Sequence, residues 1–323
     1  MKKLLLFLVL MITIVMRSEY EVTYADYSSD KVYQILAAKG INKELGYNLP
    51  YANPDNLSEY DPVAFKGYPP LYSYSIASLH PLLNYFNAAL LIDVLAIVFL
   101  VLGIFLLLKQ QQLSKKQITI ALLFFAIVPF PFGELTSTDL MVSSIFIWIA
   151  LLLIKYLQST KVFTYPVILI AALSSITIGF KYSAYPLLLV APLSLFVVGF
   201  QLRKRVYYYK GALTLVLSIV VLILLKLALP DQPKDKVFES GFYPKNLLQL
   251  DEFVFKSLFY VKDIVAQIGN STLNLLLRIA SLFVSAVVII GLALYLFKNF
   301  RKKSFDQLGQ IGMISFITLS VIL

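Results

Sequence analysis

Two carboxylates, Asp26 and Asp30, open a stretch rich in reactive residue types, Tyr24-Ala-Asp26-Tyr-Ser-Ser-Asp30-Lys-Val-Tyr33. A carboxylate held at a membrane surface can take a proton; at the start of a helix, which the pattern predicts from Asp30 to Lys39 with Gly40 to stop it, Asp30 or Ser29 can equally cap free backbone N–H groups. Two more acids, Glu134 and Asp139, lie in Phe132-Gly-Glu134-Leu-Thr-Ser-Thr-Asp139, where Asp139 suits either a site or the cap of the following helix. Lys181 interrupts about 40 apolar residues at Gly179-Phe-Lys181-Tyr-Ser. An ammonium so near hydrocarbon needs a partner, for which phosphate is suitable, or must snorkel to water. Arg278 is a second cation suited to a lipid phosphate or an acidic side chain, and Asp93 falls inside an apolar segment, where proton coupling or an interhelical pair is expected. His80 is the single histidine and reads as an interfacial residue.

Tyrosine is concentrated near the first two acids: 11 of the 21 tyrosines lie between Tyr20 and Tyr85, among them Tyr33 and Tyr68. Such rings form an interfacial belt, and they also make stacking surfaces for sugars. Tyr68-Pro69-Pro70-Leu71 stands just before a long apolar segment, and its consecutive prolines fix an extended backbone ahead of a helix.

The elements that must position these residues are apolar. The chain of 323 residues is 59% hydrophobic and 14% charged, with mean hydropathy +0.80, which excludes a soluble surface and indicates a polytopic all-α membrane protein. No cysteine is present, which excludes thiolate chemistry and disulfides, and one histidine argues against a zinc site; no metal and no cofactor is expected. Nine spans are predicted, approximately Leu4 to Met16, Leu83 to Leu108, Ile118 to Phe132, Leu140 to Ile154, Val162 to Phe180, Tyr182 to Phe200, Ala212 to Leu229, Leu273 to Phe297 and Gly309 to Leu323. With the amino terminus cytoplasmic, the five inner segments hold 15 of the 28 basic residues and no acidic one. The net charge of +10 therefore reads as membrane topology and not as nucleic-acid binding. Lys2-Lys3 and the apolar run after it also suit a secretory signal, but no small-x-small cleavage pattern follows, and a retained helix is expected.

The loops at about 17–82 and 230–272 then face outside, together with Glu134, Asp139 and Lys181. In the second loop, Leu247 to Val265 has the spacing of an amphipathic helix lying on the membrane, to shape a groove for a lipid or to cover the bundle. No repeat divides the chain, so residues 1–323 are expected to form one transmembrane domain. The apolar run reaching Leu323 leads us to expect that the domain is truncated at that end.

In order along the chain, Asp30-Lys-Val-Tyr33 with Ala37-Ala38 and Gly40, Phe65-Lys-Gly-Tyr68-Pro-Pro-Leu71, Gly133 to Asp139, and Gly179-Phe-Lys181 resemble the GT-C superfamily of membrane glycosyltransferases. The likeness is strongest to the polyprenyl-phosphate-mannose-dependent glycosyltransferase family 87, and it covers roughly Tyr24 to Pro192. The resemblance implies a GT-C-like helical bundle that transfers a mannose-like hexose, with inversion, from a polyprenyl-phosphate donor to a lipid, glycan or protein acceptor at the outer face of the plasma membrane. It implies Asp30 as general base, with Asp26 the alternate, and Glu134 or Asp139 orienting the acceptor. Lys181 or Arg278 would steady the leaving phosphate without a metal, and Tyr33, Tyr68 and His80 would contact substrate. Two other classes fit the composition: a transporter or flippase of a lipid-linked sugar, which Asp93 favours, and a non-catalytic assembly subunit.

Overall fold

The structure is a computed structural model, and it describes residues 2–23, 29–52, 56, 59–65, 68–127 and 137–228, with isolated positions between 283 and 314. The chain is mostly helical. In order, it forms α1 (Lys2–Thr23), α2 (Ser29–Asn42), β1 (Asn48–Ala52), β2 (Tyr60–Ala64), α3 (Leu71–Leu79), α4 (Tyr85–Gln110), α5 (Lys115–Ile127), α6 (Ser137–Gln158), α7 (Tyr165–Phe180), α8 (Leu187–Leu202) and α9 (Arg205–Ala228). A single 3-10 turn at Tyr182–Ala184 joins α7 to α8.

Local sequence sets the helix ends. The Asn84 side chain accepts from the Asn87 N–H at 2.7 Å and starts α4. Before α5, Ser114 and Gln117 cap each other reciprocally, Gln117 Oε1 accepting from the Ser114 N–H at 2.9 Å and Ser114 Oγ from the Gln117 N–H at 3.3 Å. Pro166 stands in the first turn of α7, where its missing N–H costs nothing. Arg203 closes α8 in the left-handed region at φ 52°.

Among the described residues, three helices are long and apolar enough to cross a membrane: Tyr85–Gln110, Thr138–Gln158 and Arg205–Ala228. Tyr165–Phe180 and Leu187–Leu202 are shorter apolar helices. Large apolar side chains are exposed along α1 (Leu4, Phe7, Met11), α4 (Leu91, Leu95, Phe99) and α9 (Val216, Ile223, Leu227), a surface suited to lipid and not to water. These features are consistent with an all-α membrane protein. The last two expected spans lie outside the described residues, apart from isolated helical positions within them such as Phe283 and Ile314.

One cluster joins α1, α4 and α5 through Val9, Leu10, Ala96, Leu100, Leu122 and Phe125. A second joins α6, α7, α8 and α9 around Leu153, Ile170, Val190 and Leu195, and Ile314 belongs to it. The two ends of the bundle are distinct. At one end, α9 begins against the end of α6: Tyr207 OH donates to Leu157 O at 3.2 Å. At the other end, a Cβ on Gly179 would lie 2.6 Å from Leu71 Cγ and 3.5 Å from Leu225 Cδ2, which brings the starts of α3 and the ends of α7 and α9 together. The first is the lysine- and arginine-rich end.

Three features depart from the sequence reading. Tyr68-Pro-Pro-Leu71 does not lead straight into the long span; the separate helix α3 comes first, and the chain breaks at residues 80–84 before α4. Gly40 does not stop α2, which continues to Asn42; a Cβ there would collide with the backbone carbonyl of Asn48 as β1 crosses α2. The chain instead turns through Glu44 (φ 61°) and Gly46 (φ 71°). Finally, β1 and β2 form a small antiparallel ribbon that the all-α expectation did not include. Pro50 and Pro62 sit opposite each other in it, tolerable because both strands are edges.

Candidate functional site

Helix α2 carries the candidate base on its first turn, and its anchoring defines the site. Lys31, Gln34, Ala38 and Asn42 share one stripe of the helix at i, i+3, i+7 and i+11, the first three buried and Asn42 at its exposed end. Each meets the bundle. Lys31 Nζ lies 2.7 Å from Asp93 Oδ2, with the side chains 3% and 0% exposed. Tyr72 OH donates to the other oxygen, Asp93 Oδ1, at 2.8 Å. Ser73 Oγ donates to Gln34 Oε1. Ala38 packs with Tyr72 and Ile76, and Asn42 Nδ2 donates to Ala77 O at 3.2 Å and to Tyr85 OH at 3.3 Å. The pair expected at Asp93 therefore joins α4, a helix long and apolar enough to span a membrane, to α2 through Lys31.

The opposite flank of α2 faces the ribbon. Ala37, Tyr47, Leu49 and Phe65 form a small core, with Tyr68 packed on it. Phe65 stacks on Tyr68, with centroids 5.7 Å apart, and is tilted against Tyr33 at 6.3 Å and Tyr47 at 5.4 Å. Tyr33 is 40% exposed. Just before α3, Tyr47 OH shares its proton between Tyr68 O at 2.9 Å and Pro69 O at 3.3 Å. Burial holds the Tyr47 hydroxyl well above the usual tyrosine range, with Tyr182 and Tyr74 beside it adding to the rise. Tyr60 at the ribbon edge behaves oppositely: the Lys43 ammonium, hydrogen-bonded to its hydroxyl and 3.8 Å from its ring centroid, lowers its pKa.

Asp139, on the first turn of α6, and Lys181, directly after α7, form an ion pair with side chains 25% and 28% exposed. The sequence reading put both residues on one face of the membrane, and here they are partners 42 positions apart. His80 ends α3 and stacks on Tyr85, with centroids 3.7 Å apart. Asp26, Glu134 and Arg278 lie outside the described residues; for Asp30 only its place on α2 is described. Among the described residues no cluster of histidine and acidic side chains could hold a metal ion.

Below α3 an apolar cavity of about 580 Å³ runs along α6 between α4 and α7, from Ser75, Ile92 and Met141 to Phe99, Trp148 and Leu173. The end lined by Ser75 is therefore under the helix on which α2 rests. Sequence reading passed over Lys31, Gln34, Tyr72 and Tyr47. A signal existed for the first: a carboxylate inside a span requires a counter-charge, and Lys31 is on the buried stripe of the helix predicted from Asp30 to Lys39.

No protein-family model, curated protein or solved structure matches this chain.

Proposed function

We propose that the chain is a membrane glycosyltransferase that takes a hexose from a polyprenyl-phosphate carrier at the outer face and passes it, with inversion, to a hydroxyl acceptor. The observation that carries the reading is the meeting of Asp139 with Lys181 at the outer ends of α6 and α7. A lysine already balanced by a carboxylate can accept a phosphate in exchange, while the released carboxylate orients an acceptor hydroxyl. The apolar cavity beneath α3, of about 580 Å³, supports a substrate with a hydrocarbon tail. Exposed rings such as Tyr33 support sugar contact.

In this reaction the acceptor oxygen attacks the anomeric carbon from the face opposite the phosphate and loses its proton to the Asp30 carboxylate, or to Asp26. The new C–O bond forms as the anomeric carbon–oxygen bond to phosphate breaks, and its electron pair leaves on the phosphate. Lys181, and Arg278 from the last third of the chain, face that growing charge; Glu134 and Asp139 hold the acceptor. Nine spans, a cytoplasmic amino terminus and a plasma-membrane location belong to the same proposal. The transporter alternative drew on Asp93 alone, and the ion pair with Lys31 accounts for that carboxylate without a transported solute.

The test is reconstitution of the full chain in liposomes with labelled polyprenyl-phosphate-mannose and an acceptor extract. Transfer is expected, falling roughly 10²–10⁴-fold in Asp30→Asn, or in Asp26→Asn if that residue is the base. Movement of label across the bilayer without transfer, or full activity in both variants, would overturn the proposal.

A further inference from the structure

Lys31 stands immediately after the candidate base on α2, yet its side chain is turned into the protein and 3% exposed. Its partner, Asp93, is the ninth residue of α4, about 12 Å along the helix axis from Tyr85 at a 1.5 Å rise per residue. The outer helix therefore reaches down to the bundle through a charged side chain. Burying two charges is costly, and an ion pair of this kind is poor evidence of stability in itself, since apolar residues of similar volume would serve as well or better. What charge supplies is a single geometry: one ammonium against one carboxylate oxygen, with Tyr72 holding the other oxygen at 2.8 Å.

The remaining contacts on the stripe do not provide this at the amino-terminal end. Gln34 is one turn on, and Ala38 and Asn42 hold the middle and the far end. The first turn of α2, where Asp30 sits, has Lys31 as its described anchor. From this we infer that Lys31 is a positioning residue. Its ion pair with Asp93, braced by Tyr72, fixes the height and rotation of the first turn of α2, and with them the placement of Asp30 over the membrane. The inference rests on Asp30 acting as base, but the clamp itself is independent of any reaction and can be tested apart from it.

The absence of cysteine makes that test direct. Spin labels are placed through Val32→Cys, an exposed position on α2, and Leu82→Cys, which is 82% exposed between α3 and α4. The distance distribution between them is read by pulsed electron paramagnetic resonance in the full chain in nanodiscs. Lys31→Gln is expected to at least double the width of the distribution, and Lys31→Asp combined with Asp93→Lys to return it toward the native width. A native width in Lys31→Gln overturns the clamp. Should Lys31→Gln fail to accumulate, Tyr72→Phe takes its place, with broadening in support and a native width against.

In the transfer assay, Lys31→Gln is expected to lower kcat roughly tenfold to a hundredfold, the scale of a displaced catalytic group, with donor KM within about twofold of native. The charge-swapped pair should recover part of that loss. Broadening without a fall in kcat overturns the positioning role. If the unaltered chain transfers no sugar, the glycosyltransferase reading fails, and the distance measurement still decides the clamp.

Discussion

Two lysines are buried to nearly the same degree at opposite ends of the bundle, and they are neutralised in different ways. Lys31, at the α2 end, is 3% exposed and faces the Asp93 carboxylate. Lys210, on the second turn of α9, is 0% exposed, and its ammonium donates to Tyr156 O at 2.7 Å and Ser159 O at 2.5 Å. The rings of Tyr156 and Tyr207 flank it, with centroids 4.6 and 5.1 Å away. Lys210 thus closes the carboxyl end of α6, adding a charged donor to Tyr156 O, which also accepts from the Ser159 N–H, at the end where the helix dipole favours a cation. One lysine completes a helix within its own neighbourhood; the other joins α2 to the long apolar helix α4. The bundle uses dipoles where it needs a cap and a full counter-charge where it needs to hold a separate element in place.

This contrast can be broken experimentally. Asp93→Asn leaves the Lys31 ammonium buried without its carboxylate, and it should cost about 3–5 kcal/mol in equilibrium unfolding in mixed micelles. Lys31→Met combined with Asp93→Leu should restore most of that stability while leaving α2 less firmly oriented. If Asp93→Asn costs under about 1 kcal/mol, the two lysines do not differ as described. Lys210→Met should cost less, about 1–3 kcal/mol, because the carbonyls it leaves are neutral. A loss equal to that of Asp93→Asn would erase the distinction between a cap and a clamp.

The smallest effect is expected in alkaline titration of the tyrosines around α2. Tyr47, raised by burial, contributes stability that is fully present below the unfolded value of 10.0 and is lost as pH rises through its folded pKa. Tyr60, lowered by Lys43, has the opposite sign: its contribution is present above 10.0 and disappears as pH falls through its folded pKa. Phenolate absorbance should therefore show Tyr60 ionising before Tyr47, with Lys43→Ala moving Tyr60 back toward 10.0.

Hydropathy alone made the helical architecture legible, because a lipid-facing helix must be apolar along its length and α4, α6 and α9 are. The first turn of α2, the approach of Asp139 to Lys181 at one end of the bundle, and the need of Asp93 for a partner were also readable from residue type and charge. What stayed hidden depends on tertiary approach. Nothing local to Tyr68-Pro-Pro-Leu71 distinguishes a long helix from a short one followed by a break, and Gly40 reads as a stop until the Asn48 carbonyl is seen against it. The ribbon was obscured because Pro50 and Pro62 argue against strands everywhere except at edges. Lys31 was overlooked beside Asp30 because outer-loop lysines are commonly solvated, and only the stripe through Gln34, Ala38 and Asn42 turns it inward.

The apolar cavity also contains its own reporter. Trp148, the sole tryptophan among the 323 residues, lines it, and its indole N–H donates to Phe99 O at 3.1 Å. All indole emission from this chain thus originates at the wall of the hollow. A hydrocarbon chain carrying a heavy-atom quencher would announce its arrival there as a loss of light, with no label on the protein.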